Sequence, residues 1–187
     1  MTEASWHIEP DALSANRLIP DTTLGAILSR EAKVDERNPQ AEYRLSPEDE
    51  TACQNMSESQ WSCVDAETLM DAIDSESQRV DALAGVKQSS ASAILPIECK
   101  LNVYGKRSLS SKRLCDEVLS KANATKEILH GRSWNERVLC FFSSQDIAVA
   151  RNNLFSRQES DSSYAPLFFC SPAHGLSVFS IRKGTRT

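Results

Sequence analysis

The stretch ILPIECKL, residues 94–101, decides how the rest of this sequence is interpreted. Across residues 97–104, apolar side chains alternate with polar ones, and Glu98 and Lys100 occupy two successive polar positions. Because neighbouring side chains of a strand point to opposite faces, this period of two predicts a β-strand with one apolar face. The same period places Glu98 and Lys100 together on the other face.

The segment before this strand supplies its expected partner. Small apolar side chains alternate through residues 80–85, and the loop-like composition KQSSAS follows at residues 87–92. Two alternating segments around such a loop are typical of a β-hairpin. A helix that continues through Val80 and Leu83 and ends at Gly85 is the competing interpretation.

A helix is predicted to begin at Ser46. Ser can cap a helix, the following Pro suits its first turn, and three acidic residues then favour the positive end of the helix dipole. A helical pattern continues across residues 65–77. Its apolar face consists of Leu69, Met70 and Ile73.

The clearest helical pattern follows the central strand. It begins with a serine cap at 110–111, carries apolar residues at helical spacing and ends near Gly131. Beyond it, Ser133 and Glu136 have the spacing of a capping box, whereas residues 138–142 look like a buried strand. The two signals conflict, and the strand is the preferred interpretation.

The C-terminal part predicts a helix capped by Ser144 and then a final hairpin. The strands of that hairpin cover residues 167–171 and 176–181, joined by a Pro-Ala-His-Gly turn. The resulting order is helix, two strands, helix, strand, helix, two strands. This order predicts an α/β (α+β) fold in which a mixed β-sheet is flanked by helices.

The chain has room for one domain with a substantial core. We predict that residues 46–187 form a compact mixed α/β domain and that residues 1–45 form an acidic, loosely structured N-terminal segment. Prolines and charges in that segment leave little apolar surface to offset the entropy of ordering. A short helix from Thr22 or Thr23 to Lys33 is expected there, either as ordinary structure or as a peptide that docks on a protein partner.

Charge is distributed unevenly along the chain. Residues 1–92 carry 18 acidic and 7 basic side chains, net −11, whereas residues 93–187 carry 8 acidic and 14 basic ones, net +6. A basic half can face nucleic acid, because neutralised phosphates release counterions, and an acidic half can shield it. A merely solvated surface is the simpler interpretation of the same charges.

Six cysteines are spread along the chain without a C-x-x-C pair, so we expect reduced thiols and no zinc site. The first ten residues have neither a basic region nor an apolar run, so no secretory signal is predicted. No stretch approaches the length of a membrane span. We therefore expect an intracellular protein of the cytoplasm or nucleus that has no membrane partner.

One constellation on the hairpin could carry chemistry. If Asp81 lies on the strand that partners Glu98, the two carboxylates can approach each other and hold Mg²⁺ or Mn²⁺, which prefer oxygen ligands. Lys100 would then sit beside the metal. A hard divalent cation there could polarise a phosphate and activate a bound water, while Lys100 orients that water or offsets negative charge.

Asp81, a spacer and then Glu98-Cys99-Lys100 resemble the core motif of the PD-(D/E)xK nuclease superfamily, across roughly residues 66–142. The resemblance implies a restriction-endonuclease-like core. It implies that Asp81 and Glu98 bind metal and that Lys100 assists the hydrolysis of a phosphodiester bond.

The resemblance also implies two helical features. A helix before the hairpin often supplies a further acid in that family, and Glu67 or Glu76 could provide it here. A helix is expected to follow the Glu-x-Lys strand, and the pattern that starts at the serine pair 110–111 fits this position.

A basic cluster flanks the start of that helix and consists of Lys106, Arg107, Lys112 and Arg113. Backbone N–H groups also point outward at a helix N-terminus, so the cluster would suit a phosphate. A solvated basic loop is the alternative interpretation.

Two functions therefore compete. The first is metal-dependent phosphodiester hydrolysis on nucleic acid by a nuclease-like domain, active or degenerate, with Mg²⁺ or Mn²⁺ as its cofactor. The second is a non-enzymatic interaction or scaffold protein whose acidic N-terminal segment binds a protein partner. The enzyme requires the Asp81 and Glu98 carboxylates to lie close together with the Lys100 amine nearby, whereas the scaffold requires none of this.

Overall fold

The computed structural model describes residues 6–33, 45–73, 78–88, 91–102 and 109–181. These residues form a mixed sheet flanked by helices, which confirms the predicted fold class. The strands are β1 (Trp6–Ile8), β2 (Thr22–Thr23), β3 (Ser62–Asp65), β4 (Ala82–Gln88), β5 (Ala91–Lys100), β6 (Val138–Phe142), β7 (Leu167–Cys170) and β8 (Phe179–Ile181). The helices are α1 (Asp11–Ala15), α2 (Leu24–Glu31), α3 (Pro47–Asn55), α4 (Ala66–Asp71), α5 (Lys112–Ile128), α6 (Ile147–Ser160) and α7 (Pro172–Val178).

The strands lie in the order β2-β3-β4-β5-β6-β7, and β1 pairs with the far half of β4 and with β8. The β3, β4 and β5 strands form an antiparallel meander. The β6 strand then pairs parallel with β5, and β7 pairs parallel with β6, each reached through a helix. Parallel strands need such crossovers, whereas the antiparallel ones need only turns.

Both faces of the sheet are covered. Helices α1, α4, α5 and α6 bury one face, and their core includes Leu13, Met70, Val118 and Leu154. Helices α2, α3 and α7 bury the other face. Strand β5 is accordingly buried on both sides, so that Ile94 belongs to the first core and Leu95 to the second.

The predicted hairpin is confirmed: β4 and β5 pair with Ala82 opposite Ile97 and Gln88 opposite Ala91. The competing helix that ends at Gly85 is wrong, because Gly85 lies within β4. A Cβ atom at Gly85 would approach the Glu9 carbonyl oxygen to 2.3 Å, so the chain packs too closely there for any other residue.

The other internal elements mostly follow their patterns. Ser46 and Ser111 cap α3 and α5 as expected, by accepting hydrogen bonds from the Asp49 and Arg113 N–H groups at 3.2 Å each. The capping-box pattern does not form a helix, and β6 is a fully buried strand. The α4 helix is shorter than expected and leaves Ile73 56% exposed, while residues 74–77 lie outside the described part of the chain.

The prediction of a loose N-terminal segment is wrong for residues 6–33. Trp6 is fully buried in β1, and the predicted short helix is α2, which begins after the Thr23 cap and buries Ile27 and Leu28. Each apolar patch is too small to fold alone, but each covers part of the second core once the sheet exists. The domain therefore begins well before Ser46.

The fully buried carboxylate of Asp49 connects α3 to the sheet through hydrogen bonds. The Asp49 carboxylate accepts hydrogen bonds from the Ser144 N–H at 2.7 Å, the Ser144 hydroxyl at 2.8 Å and the Ala173 N–H at 3.2 Å. The predicted helix cap at Ser144 is thus wrong: α6 begins at Ile147, and the Ser144 side chain bonds to Asp49 instead.

The predicted C-terminal hairpin is also wrong. Strand β7 ends at Cys170, and residues 172–178 form α7, whose first turn is capped by the Ser171 hydroxyl accepting from the His174 N–H at 3.3 Å. Pro172 occupies the first helical turn, where proline is favoured. Strand β8 then pairs parallel with β1 and not with β7.

Gly25→Ala tests whether α2 belongs to the folded domain. A Cβ at Gly25 would lie 2.0 Å from the Cys53 carbonyl oxygen of α3. We expect this variant to lower the free energy of unfolding by about 1–3 kcal/mol in chemical denaturation. In a loose segment, the same change would leave stability unchanged or raise it slightly, because alanine favours helices by ~1 kcal/mol. Ala26→Ser, on the exposed side of α2, serves as the control.

Candidate functional site

The predicted carboxylates meet where β4 begins and β5 ends. The Asp81 N–H donates to the Ile97 carbonyl oxygen at 3.1 Å, just before β4 begins with Ala82 opposite Ile97. The Asp81 carboxylate accepts from the Cys99 N–H, so Asp81 bonds to the backbone on both sides of Glu98. The structure therefore brings together the two acids that the sequence singled out.

Asp81 closes the end of the β ladder with its own side chain. Its Oδ2 accepts a hydrogen bond from the Cys99 N–H at 2.6 Å, a backbone donor that would otherwise face the end of β4. Burial raises the pKa of Asp81 to about 7, and repulsion from Glu98 adds to the rise, although the Cys99 N–H partly opposes it. Near neutral pH, this carboxyl group is close to its titration midpoint.

Glu98 is fully buried, yet only one of its oxygens is satisfied. Its Oε1 accepts hydrogen bonds from the Lys121 Nζ at 2.7 Å and from the Lys100 Nζ at 2.9 Å. Its Oε2 is buried without a hydrogen-bond partner. An unsatisfied buried carboxylate oxygen is costly, so this atom is a natural point of attachment for a cation or a polarised donor.

Lys100 lies between two carboxylates. Its Nζ is 2.9 Å from Glu98 Oε1 and 2.6 Å from Glu117 Oε1, and only 14% of its side chain is exposed. Burial alone lowers the pKa of Lys100, but Glu98 and Glu117 outweigh burial and raise it above the usual lysine value. Lys100 therefore remains a cation at neutral pH and supplies positive charge, not a general base.

Two further members of this cluster, Glu117 and Lys121, are not among the predicted site residues. Both lie on α5, four residues apart, on the side that packs toward the end of β5. Residues at this spacing are neighbours on a helix surface. The sequence pointed to them only indirectly: both charged residues border the apolar stripe of the predicted helix, next to Leu114 and Val118.

The helical acid near the pair is Glu31, not Glu67. Glu31, the last residue of α2, acts electrostatically on Asp81, and its Oε1 accepts from the Arg30 Nε at 2.9 Å. Glu67 lies in the first turn of α4, where its Oε2 is 3.4 Å from the Arg30 Nη2, and half of its side chain is exposed. The other predicted acid, Glu76, lies outside the described residues.

The predicted phosphate cluster is placed only in part. Lys112 and Arg113 are exposed in the first turn of α5, and Arg113 acts electrostatically on Glu117, so this turn faces the Lys100 side of the site. Lys106 and Arg107 lie outside the described residues.

The site has two closely placed carboxylates but not a complete set of protein ligands for a metal ion. Among the described residues, no three His, Cys, Asp or Glu side chains are gathered as a metal site. The two acids still fit Mg²⁺ or Mn²⁺, because Mg²⁺ keeps several waters and is bound through one or two carboxylates plus substrate oxygens. The unpartnered Glu98 Oε2 and the raised pKa of Asp81 are the observations that favour a cation here.

The cysteines do not contribute to this chemistry. All six are free and buried. Burial raises the pKa of the Cys99 thiol, which is adjacent to the site, well above its usual value, and the Asp81 and Glu98 charges add to the rise. A thiolate nucleophile or ligand is therefore disfavoured at neutral pH.

A scan against protein-family models finds no match, and searches of curated proteins and of solved structures find no significant similarity. Within the described ranges, none of the helices has the length and apolar character needed to cross a membrane. The function must therefore be inferred from the site alone.

Proposed function

We propose that this chain is a metal-dependent phosphodiesterase of the PD-(D/E)xK nuclease type that acts on nucleic acid. The single observation that carries the proposal is the placement of Asp81 beside Glu98, where it bonds to the backbone of Ile97 and Cys99 on either side of Glu98, close to the Lys100 cation. Two buried acids this close repel each other, and such an arrangement is kept more readily for binding a cation than for stability.

The surroundings of the pair support this proposal. A helix that follows the Glu-x-Lys strand leads to a parallel strand, β6, as a restriction-endonuclease-like core requires. The charge of Glu31, at the end of the preceding helix α2, adds to the negative potential at Asp81.

Each residue then has a defined role. Asp81 and Glu98 would hold Mg²⁺ or Mn²⁺, which supplies Lewis-acid stabilisation of the phosphate and a more acidic bound water. Lys100, which stays protonated between Glu98 and Glu117, would stabilise negative charge on the phosphate oxygens. Lys121 holds the Glu98 carboxylate through Oε1 and leaves Oε2 for the metal.

A non-enzymatic scaffold is the second candidate, and one observation favours it. Lys100, Lys121, Glu98 and Glu117 already form a connected network of ion pairs without any metal. A purely structural role, in which the network holds α5 on the sheet, would be enough to explain it. The acidic N-terminal segment no longer supports the scaffold, because residues 6–33 belong to the folded domain.

The test is a titration of the full-length protein with Mg²⁺ and Mn²⁺. We expect cleavage of single- or double-stranded DNA or RNA that requires the cation and stops with a chelator, together with a rise in melting temperature by the same cations. Linkage gives ~2.7 kcal/mol of stabilisation at a cation concentration one hundred times the Kd. A protein that neither cleaves any of these substrates nor melts higher with either cation would leave the scaffold as the better candidate.

A further inference from the structure

A basic cleft lies between the C-terminal ends of α1 and α5, away from the carboxylate pair. Its volume is about 330 Å³. The lining consists of Ala15, Asn16, Arg17, His130, Gly131 and Arg132. Two arginines and a histidine thus share one small cavity whose lining contains no acidic residue.

Arg17 occupies a backbone conformation that does not suit it. It follows α1 with φ 60°, and the Leu18 N–H donates to the Leu13 carbonyl oxygen at 2.9 Å, which is the closing bond of a Schellman motif. Glycine is the usual residue at this left-handed position, and Gly131 takes a similar φ of 76° after α5. A left-handed conformation costs a residue with a Cβ about 1–2 kcal/mol. The backbone conformation therefore does not explain why residue 17 is an arginine, and its side chain must have a role.

Arg132 contributes a second guanidinium group to the lining of the same cleft. Its Nε is buried without a hydrogen-bond partner, and its Nη1 donates to the His130 carbonyl oxygen only at 3.4 Å. Among the described residues, neither Arg17 nor Arg132 forms an ion pair with a carboxylate. A guanidinium group presents its N–H donors in a fork that matches the oxygens of a phosphate.

We infer that this cleft binds a phosphate group through Arg17 and Arg132. An oxyanion there would pair with two guanidinium groups that have no carboxylate partner among the described residues, and would account for an arginine at a position that favours glycine. The phosphate could be free or part of a nucleic-acid backbone, since the same donors recognise both.

The position of the cleft favours the backbone phosphate, and this step rests on the proposed function. Helix α5 carries Lys121 to Glu98 and ends at Ile128, just before His130, and the seven residues from Lys121 to Ile128 rise by roughly 10 Å along the helix axis. A strand held at the carboxylate pair could therefore place another of its phosphates in the cleft, a few nucleotides away. The cleft would then fix the register of the strand without reading its bases.

Helix-dipole stabilisation is the competing explanation for these cations. Both helices end at the cleft, and a cation near a helix C-terminus contributes about 0.3–1 kcal/mol. The Arg17→Gly variant separates the two explanations, because glycine relieves the left-handed strain and removes the charge. If Arg17 serves only the dipole, the variant changes stability and leaves anion binding intact.

The experiment measures binding of a fluorescently labelled single-stranded DNA oligonucleotide to the full-length protein by anisotropy, with a chelator present so that cleavage is prevented. We expect Arg17→Gly to weaken binding about five- to tenfold and to reduce the salt dependence by about one released counterion. Its melting temperature should equal or exceed that of the wild type. Lys33→Gln, which removes one exposed cation beyond α2, is the control and should change affinity less than about twofold.

A second arm uses inorganic phosphate alone, as a competitor and in thermal shift. Phosphate that stabilises the wild type and not Arg17→Gly, with equal oligonucleotide affinity of the two proteins, would support a site for free phosphate and remove the backbone-phosphate assignment. Wild-type protein that binds neither probe, or Arg17→Gly that binds both like the wild type, would overturn the inference. The binding assay contains no metal, so its result does not depend on catalysis. If the protein fails to cleave in the separate cleavage assay, the proposed function is contradicted but the phosphate site is not.

Discussion

Glu98→Gln should abolish metal-dependent cleavage, with a loss of about a thousandfold or more, equivalent to ~4 kcal/mol of transition-state stabilisation. The substitution keeps the shape of the side chain but removes the charge on a buried carboxylate that, alone among the described residues, has an unpartnered oxygen. The rise in melting temperature produced by Mg²⁺ or Mn²⁺ should disappear in the same variant. Cleavage assays and thermal shifts with a range of cation concentrations measure both effects.

The same variant should also be less stable than the wild type in metal-free buffer. Glutamine at this position leaves Lys121 without its carboxylate and leaves Lys100 with Glu117 alone. Because both lysine side chains are largely buried, we expect a loss of about 1–3 kcal/mol in the free energy of unfolding. Activity must therefore be compared well below the melting temperature of the variant.

Glu127→Gln provides the matched control, since it makes the same chemical change at an exposed position of α5. It should retain wild-type cleavage, metal response and stability. If Glu98→Gln cleaves nucleic acid like the wild type, Glu98 is not a metal ligand. If the wild type itself has no activity and Glu98→Gln is simply less stable, the ion-pair network is structural.

The central hairpin and the candidate pair could be predicted from the sequence because both depend on local pattern. A period of two fixes which side chains of a strand share a face, and a short connection between two such segments fixes their pairing. Those two facts bring Asp81 next to Glu98, although Asp81 lies just before β4 and bonds to the backbone of Ile97 and Cys99. The cap of α5 is similarly local, since Ser111 bonds to a backbone group two residues away.

The partners of the pair depend on contacts between distant parts of the chain. Lys121 reaches Glu98 from 23 residues away, and Glu31 comes from a helix whose position requires the whole second core. Nothing in the local pattern distinguishes these charges from solvated ones. The sequence therefore indicated the pair but not the network that holds it.

Two of the errors in the predicted fold have a related cause. The N-terminal patches are short, and they are ordered only because the edge of the sheet and α3 cover them, as the full burial of Trp6 illustrates. In the C-terminal region, Ser171 and Pro172 form a helix start that was interpreted as a turn between strands. Both a turn and a helix cap use serine and proline, so composition alone does not separate them.

Asp81 should make the stability of the protein depend on pH in a specific direction. Burial and the nearby Glu98 raise its pKa to about 7 in the folded chain, from an ordinary value of 3.8. Between these values the unfolded chain releases the proton while the folded chain keeps it, so stability falls as pH rises. The loss begins near pH 4 and is complete above pH 7.

Asp81→Asn should therefore be more stable than the wild type at neutral and higher pH in metal-free buffer. The asparagine oxygen can still accept the Cys99 N–H, but the side chain carries no charge to repel Glu98. We expect a gain of roughly 2–4 kcal/mol in the free energy of unfolding at pH 8, shrinking to nothing near pH 4, at about 1.4 kcal/mol per pKa unit. Denaturant unfolding of both proteins across this range measures the difference, and Mg²⁺ should narrow it by stabilising only the wild type. A gain independent of pH would mean that the stabilisation does not come from the charge of Asp81, and a loss at pH 8 would mean that the folded protein favours the ionised carboxylate. Either result would rule out the strained carboxylate pair.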